Sequence, residues 1–162
     1  MTVRQRDIFD AVAKGDPRLV RAIAMTGADL DARTPGGRSV LQVAVAHGHA
    51  AVLNTLIELG CDVREKDSNT EINLLEWLLY INLSRRNGDI IPNNMYLSER
   101  EVEMVLILVR EGLEIGDSMF LDNARGQAPE LFLQAEELMM NCRNLQAADE
   151  GLAAPTGYEF DI

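Results

Sequence analysis

One short motif recurs at a fixed interval. Gly27-Ala28-Asp29-Leu30 returns as Gly60-Cys61-Asp62-Val63, 33 residues later. Gly15 and Gly48 repeat at the same spacing, as do Ile8 and Leu41, Ala11 and Ala44, Leu19 and Val52, and Ile23 and Leu56. Small and apolar positions therefore align across two full units. A period of this length means stacked supersecondary units, each too small to bury its apolar face alone.

A third unit follows with a changed length. Gly112-Leu113-Glu114-Ile115 closes it 52 residues after Gly60, which leaves about 19 residues beyond the regular period. Its first helix is expected from Asn73 to about Ile81, with Leu74, Leu75, Trp77 and Leu78 apolar. Its second is expected from Ser98 to Glu111, where Ser98 and Glu101 have capping-box spacing. Val102, Val105, Leu106, Leu108 and Val109 give that helix a broad apolar face. The extra residues form an insert at 83–97 carrying turn chemistry at Asn87-Gly88-Asp89 and Pro92-Asn93-Asn94.

Beyond Gly116 the pattern degrades. Asp117 or Ser118 is a candidate cap for a short helix through Asn123, and Pro129 suits the first turn of another running to about Asn141. The second of these presents Leu131, Phe132, Ala135, Leu138 and Met139. The expected organisation is one domain, residues 1–145, in units at about 7–33, 34–66, 67–116 and 117–145. A tail, 146–162, follows, with Tyr158 and Phe160 as residues to dock it.

The second unit reads Gly37-Arg38-Ser39-Val40-Leu41-Gln42-Val43-Ala44-Val45-Ala46-His47-Gly48-His49, then Val52-Leu53, Leu56-Ile57 and Gly60-Cys61-Asp62-Val63. It resembles the ankyrin repeat, G-x-T-P-L-H-x-A-A-x-x-G-H followed by paired apolar residues and G-A-D-V-N. Ser39 stands for Thr, Val40 for Pro, Gln42 for His and Cys61 for Ala. The resemblance is strong over 7–67, fair over 98–115 and weak beyond. It implies an all-α solenoid of stacked helix-turn-helix pairs joined by short hairpins. Thr34-Pro35-Gly36-Gly37 would form one hairpin tip.

Composition agrees with packed helices: 47% of residues are apolar but only 5% aromatic. The charge is lopsided. Residues 1–67 hold nine basic and nine acidic side chains, and residues 68–162 hold six basic and seventeen acidic, so the whole net charge of −11 lies in the second half. Such a surface repels phosphate backbones and anionic membranes, which argues against nucleic-acid and membrane partners. It attracts a partner with a basic surface; serving solubility alone is an equal reading. Cys61 and Cys142 lack CxxC spacing and suit free thiols in a reducing compartment. With no signal-like or membrane-spanning run, a cytoplasmic location is expected.

The residues offer little catalytic chemistry. His47-Gly48-His49 is the one histidine cluster, but two ligands on a turn are too few for a metal site. Gly36-Gly37 lacks the Gly-Lys-Ser/Thr of a phosphate loop. Glu136-Glu137 and Glu99, Glu101 and Glu103 read as polar helix faces rather than acid–base pairs. No serine or cysteine sits in a nucleophile motif. Neither an enzyme, a cofactor nor a metal is expected. Met104, Met119, Met139 and Met140 read as core filling before they read as a soft binding surface. Trp77 falls on the position of Ala44 at a 33-residue register, where a bulky ring would push the next helix pair away.

The resemblance implies protein binding on a concave face made of hairpin tips and first helices. Carried onto this chain, the tip positions are Pro35, Gly36, Arg38, Ser68, Asn69 and Glu71, with Thr70 in place of the usual tip glycine. The helix positions are Ala13, Lys14, Ala46, His47, Leu79 and Tyr80, and Tyr80 is a natural hot spot. Arg85 and Arg86 join them from the insert, which reads equally as a contact loop or as packing. The implied function is a non-enzymatic interaction module, for which a dedicated inhibitor such as an immunity protein or antitoxin is the leading candidate. The alternative is an adaptor, scaffold or host-directed effector.

Overall fold

The computed structural model describes residues 3–86, 96–117 and 119–151, apart from the side chains of Val3, Arg4, Arg86 and Phe120. The expected turns at 87–89 and 92–94, the Ser118 cap, and Tyr158 and Phe160 lie outside the described residues.

Eight helices follow one another: α1 (Val3–Lys14), α2 (Pro17–Met25), α3 (Val40–His47), α4 (Ala50–Glu58), α5 (Leu74–Arg86), α6 (Glu99–Arg110), α7 (Met119–Gln127) and α8 (Pro129–Asp149). Each consecutive pair packs together. The first helices also pack in a row, α1 on α3 on α5 on α7, and the second helices in a parallel row, α2 on α4 on α6 on α8. No strand occurs among the described residues. The architecture is the all-α solenoid of helix pairs that the repeat implied.

Local chemistry sets where the helices start. Asp16 accepts from the amides of Arg18 and Leu19, and Pro17 opens α2. Ser39 and Gln42 form a capping box at α3, and Ser98 and Glu101 form one at α6. A further reciprocal pair opens α5: the Asn73 amide donates to Glu76 Oε2 at 2.8 Å, and the Glu76 amide donates to Asn73 Oδ1 at 3.1 Å.

These caps also join neighbouring units. Gln42 Nε2 donates to Asp67 Oδ2 in the next hairpin at 3.1 Å. One unit on, the Gly116 amide donates to Glu76 Oε1 at 2.7 Å, and Asn73 Nδ2 donates to the Glu114 carbonyl at 2.7 Å. Glu76 is therefore a buried carboxylate with both oxygens engaged. A single core runs the length of the stack, from Ile8 and Val20 through Leu53, Leu56, Leu75 and Leu79 to Leu108, Leu121 and Leu131. Burying each large side chain of this kind is worth about 1.5–3 kcal/mol.

The hairpin between the second and third units is one residue longer than its predecessor. In the first, the Thr34 amide donates to the Arg38 carbonyl and the Gly37 amide to the Thr34 carbonyl. In the second, the Asp67 amide reaches the Ile72 carbonyl and the Glu71 amide the Asp67 carbonyl. From there the register is 34, not 33. Glu71, at φ 58, takes the left-handed place of Gly37, at φ 80, so the expectation of Thr70 at that position is corrected. Ser39 corresponds to Asn73, Gln42 to Glu76 and Val43 to Trp77.

Trp77 therefore does not replace Ala44. Its ring lies under Arg38, whose guanidinium carbon is 5.9 Å from the ring centroid, and it lines a small pocket with Ser39, Leu41 and Gln42. The side chain packs toward the preceding unit while α5 still packs on α7. The expected wedge against the next pair is not what forms.

Three helices outrun their sequence-based ends, α7 by continuing past Asn123 to Gln127. α5 continues past Ile81 to Arg86, so the first residues of the 83–97 insert are helical. α8 continues past Asn141 to Asp149, into the segment expected to begin a tail.

Candidate functional site

The first helices of the third and fourth units leave a groove between them. Tyr80, Leu83 and Ser84 of α5 face Met119, Asn123, Ala124 and Gln127 of α7 across an open volume of roughly 390 Å³. Ser84 Oγ turns back to donate to the Tyr80 carbonyl at 2.9 Å. Tyr80 is 38% exposed and Met119 is 90% exposed. An aromatic ring and a flexible thioether beside amide side chains make a surface able to seat an apolar anchor and to hydrogen-bond around it.

The candidate contact residues fall into separate groups. Arg38 is exposed on its hairpin above Trp77, and Ser68, Asn69 and Glu71 are exposed on the next hairpin. Pro35 and Gly36 are exposed beside Arg38. Tyr80 stands in the groove. Leu79 is a correction: it is fully buried in the core, because α5 turns that position inward. Ala46 is also buried, and its contribution is its carbonyl, which accepts a hydrogen bond from the Arg85 guanidinium. Arg85 thus closes the C-terminal end of α3, where a cation is favoured, instead of pointing freely from an insert. The side chain of Arg86 lies outside the described residues.

His47 and His49 stack in parallel, with ring centroids 5.9 Å apart and planes 6° apart. His47 is exposed, while His49 Nε2 lies 2.9 Å from the Ala13 carbonyl oxygen. Among the described residues no group of three or more His, Cys, Asp or Glu side chains could hold a metal ion.

The methionines divide. Met104 and Met139 fill the core, and Met119 and Met140 are exposed. Met119, Asn123 and Gln127 were the part of the groove that sequence reasoning missed. Their spacing of four, which puts them on one helix side away from buried Leu121, was the available signal. Among the acidic residues, Glu101 caps α6 and accepts from Asn82 Nδ2, and Glu136 pairs with Arg125.

Two groups have shifted proton affinities. Burial pushes the Asp67 carboxyl up, but hydrogen bonds from Gln42, the Asn69 amide and the Thr70 amide and hydroxyl outweigh it, and the group ends below the usual carboxylate range. Burial, and then the negative charge of Asp31, push the Cys61 thiol up to about 11. Neither stands in the groove, and neither is arranged as a nucleophile or a general base.

Two rows of stacked helix pairs joined by hairpins, with an exposed groove between first helices, define a helical-repeat solenoid. The first part of this chain is built of ankyrin repeats: residues 8–57 match the family model for ankyrin repeats (many copies). Over 63 residues it is 35% identical to dauer abnormal formation protein 25 of Caenorhabditis elegans, a match covering 39% of this chain and 16% of that protein's length. A solved structure, the ankyrin repeat domain of human ASB11, aligns with 68% of this chain and 56% of that one, at 19% identity and a TM-score of 0.41. Ankyrin repeats are protein–protein interaction modules, and residues 8–57 match that kind of repeat. Among the described residues no helix is long and apolar enough to cross a membrane.

Proposed function

We propose that the chain is a dedicated inhibitor, of the kind an immunity protein or antitoxin represents, which masks a partner protein with its inner face. The observation that carries the site is the groove between α5 and α7, where Tyr80 and Met119 stand exposed on a rigid scaffold. Exposed large side chains over a fixed backbone lose little freedom on binding, so the groove is suited to hold a partner's apolar anchor. The hairpin residues Arg38, Ser68, Asn69 and Glu71 supply a polar rim. The acidic second half favours a partner with a basic surface and speeds its approach at low salt. Binding that covers a partner's working surface needs no chemistry from this chain, and nothing in the groove is placed to supply any.

Affinity purification from the native source, followed by calorimetry and assay of the captured protein, tests this reading. A one-to-one partner whose activity falls on binding, and is restored by Tyr80→Ala, is the expected result. A stoichiometric partner whose activity is untouched would replace the inhibitor reading with an adaptor or scaffold. Unchanged binding by Tyr80→Ala and Met119→Ala would remove the groove from it.

A further inference from the structure

The outer side of the stack, formed by the second helices, holds a groove that shares no residue with the inner one. Ala51 and Asn54 of α4 face Glu103, Leu106, Ile107 and Arg110 of α6 across roughly 330 Å³. The floor is apolar and only half-covered: Leu106 and Ile107 pack on the core yet keep part of their surface in solvent. Ala51 is exposed beside them, and its methyl group leaves room for a neighbouring helix to approach closely.

The two walls differ in how their charges are used. α4 has one charged residue, Glu58, which pairs with Arg21 of α2 and accepts from Asn54 Nδ2 at 2.9 Å. Nothing charged on α4 is left for α6. Glu103 and Arg110 are exposed, and neither side chain takes part in an ion pair or hydrogen bond among the described residues. They stand seven residues apart, two turns of one helix, so they share a side and lie about 10 Å from each other. Leu106 and Ile107 fall midway between them. Acid, apolar pair, base: run backwards along a second helix, this order meets itself with each charge opposite its counter-charge.

We propose that a second copy of this chain docks here, α6 against α6, antiparallel about a two-fold axis between Leu106 and Ile107. That operation sets Glu103 of each copy opposite Arg110 of the other and makes both pairs at once. At the axis the half-covered Leu106 and Ile107 cover one another and enter the hollow beside Ala51. The antiparallel order also brings the acidic first turn of one α6, Glu99 and Glu101, toward the basic last turn of the other. Apolar burial supplies most of the attraction. The charges fix the register, since exposed pairs contribute little by themselves. A contact this small makes a weak, concentration-dependent dimer. The net charge of −11 opposes it, but that repulsion is spread over the molecule and is screened beyond about 8 Å at physiological salt. Other occupants fit less well. A purely apolar helix would strip water from Glu103 and Arg110 without pairing either. An anion drawn to Arg110 would meet Glu103 in the same groove. The inner groove lies on the first helices and stays free in each copy, so dimer and partner-masking stand or fall separately.

The test is sedimentation velocity of the full chain at about 0.15 M salt, from micromolar to near-millimolar concentration. A reversible monomer–dimer equilibrium is expected. Glu103→Arg alone and Arg110→Glu alone should each raise the dissociation constant by about tenfold or more, because each turns two attractions into two repulsions. Both side chains are exposed, so circular dichroism and the urea midpoint should hardly change. Mixing the two single variants, one positive at both positions and the other negative at both, should restore association as a mixed pair. The double exchange within one chain should restore it as well. Ala51→Gln fills the hollow from α4 and should weaken the dimer without altering any charge. A parent chain that stays monomeric throughout would overturn the second copy as occupant. A dimer indifferent to these variants, or single variants that fail to pair when mixed, would overturn this face as the interface.

Discussion

His49 Nε2 stands 2.9 Å from the carbonyl oxygen of Ala13, so the second unit reaches back and closes the end of the first unit's opening helix. A carbonyl only accepts, so Nε2 carries the proton. The ring also fills the space beside Gly15, where a Cβ would come within 2.6 Å of it, and Gly15 sits at φ 75. Arg85 performs the same service one unit on, donating to the carbonyl of Ala46, which corresponds to Ala13. His49→Ala is expected to cost about 1–3 kcal/mol, because it leaves a part-buried carbonyl unpaired and a void beside the backbone. Gly15→Ala should cost less in that background than in the parent, with a coupling of about 0.5–3 kcal/mol in a urea-denaturation double-mutant cycle. Additive losses would show that ring and glycine are not in contact.

Glu71 holds the left-handed conformation that Gly37 holds in the preceding hairpin, at φ 58 against φ 80. A side chain there is strained, and glycine relieves that strain while adding freedom to the unfolded chain. Glu71→Gly is expected to raise stability by about 0.5–1 kcal/mol, the net of the two. A lower urea midpoint would mean that the Glu71 side chain contributes more than its backbone costs.

That hairpin also marks where the sequence stops being readable. The period of 33 over the first two units follows from glycines and small apolar residues that each unit needs at the same place, so four helices and their packing were legible. One additional residue between Asp67 and Ile72 alters no composition and breaks no hydrophobic pattern. It nevertheless moved Trp77 off the Ala44 position and put Leu79 in the core. The ends of α5 and α8, like that of α7, were missed, the first two for a related reason. Ser84-Arg85-Arg86 ends the apolar periodicity, but Arg85 gains the Ala46 carbonyl by staying helical. Gln146-Ala147-Ala148-Asp149 lacks a stripe yet consists mostly of good helix formers. The Tyr80 side of the inner groove was visible as an exposed aromatic on a first helix, whereas Met119 was read as core because the fourth unit matches the repeat too weakly to fix a register.

Asp67 is the hub of the longer hairpin. Its Oδ1 accepts from the Asn69 and Thr70 amides at 3.0 Å each and from the Thr70 hydroxyl at 2.9 Å, and its Oδ2 accepts from Gln42. The folded carboxyl lies below its ordinary value despite burial, because these bonds favour the charged form. A carboxyl held low binds fewer protons folded than unfolded. Its stabilisation is therefore complete above the unfolded value, about 3.9, and disappears as pH falls through the lower folded one. Asp67→Asn should lower the urea midpoint at pH 6–7, by about 1–3 kcal/mol of stability, since its amide would face the Gln42 donor. The gap should narrow as pH falls below the unfolded value and close only through the lower folded one. A gap that stays constant down to acid pH would show that the charge of Asp67 contributes nothing.

Cys61 sits in the closing turn of the second unit, half-buried beside Asp31, and its thiol is pushed up to about 11. The thiolate is the reactive form, so at pH 8 this group should alkylate on the order of a hundredfold more slowly than an exposed cysteine. Cys142 is buried on α8 and should be protected by access alone. The two protections are separable. Asp31→Asn removes the negative charge and should speed iodoacetamide labelling at Cys61 while leaving Cys142 as slow as before. Urea should release both together at the unfolding midpoint. Native Cys61 labelling as fast as the unfolded chain would show that the turn opens freely, and that the second unit is not closed in the way its hydrogen bonds require.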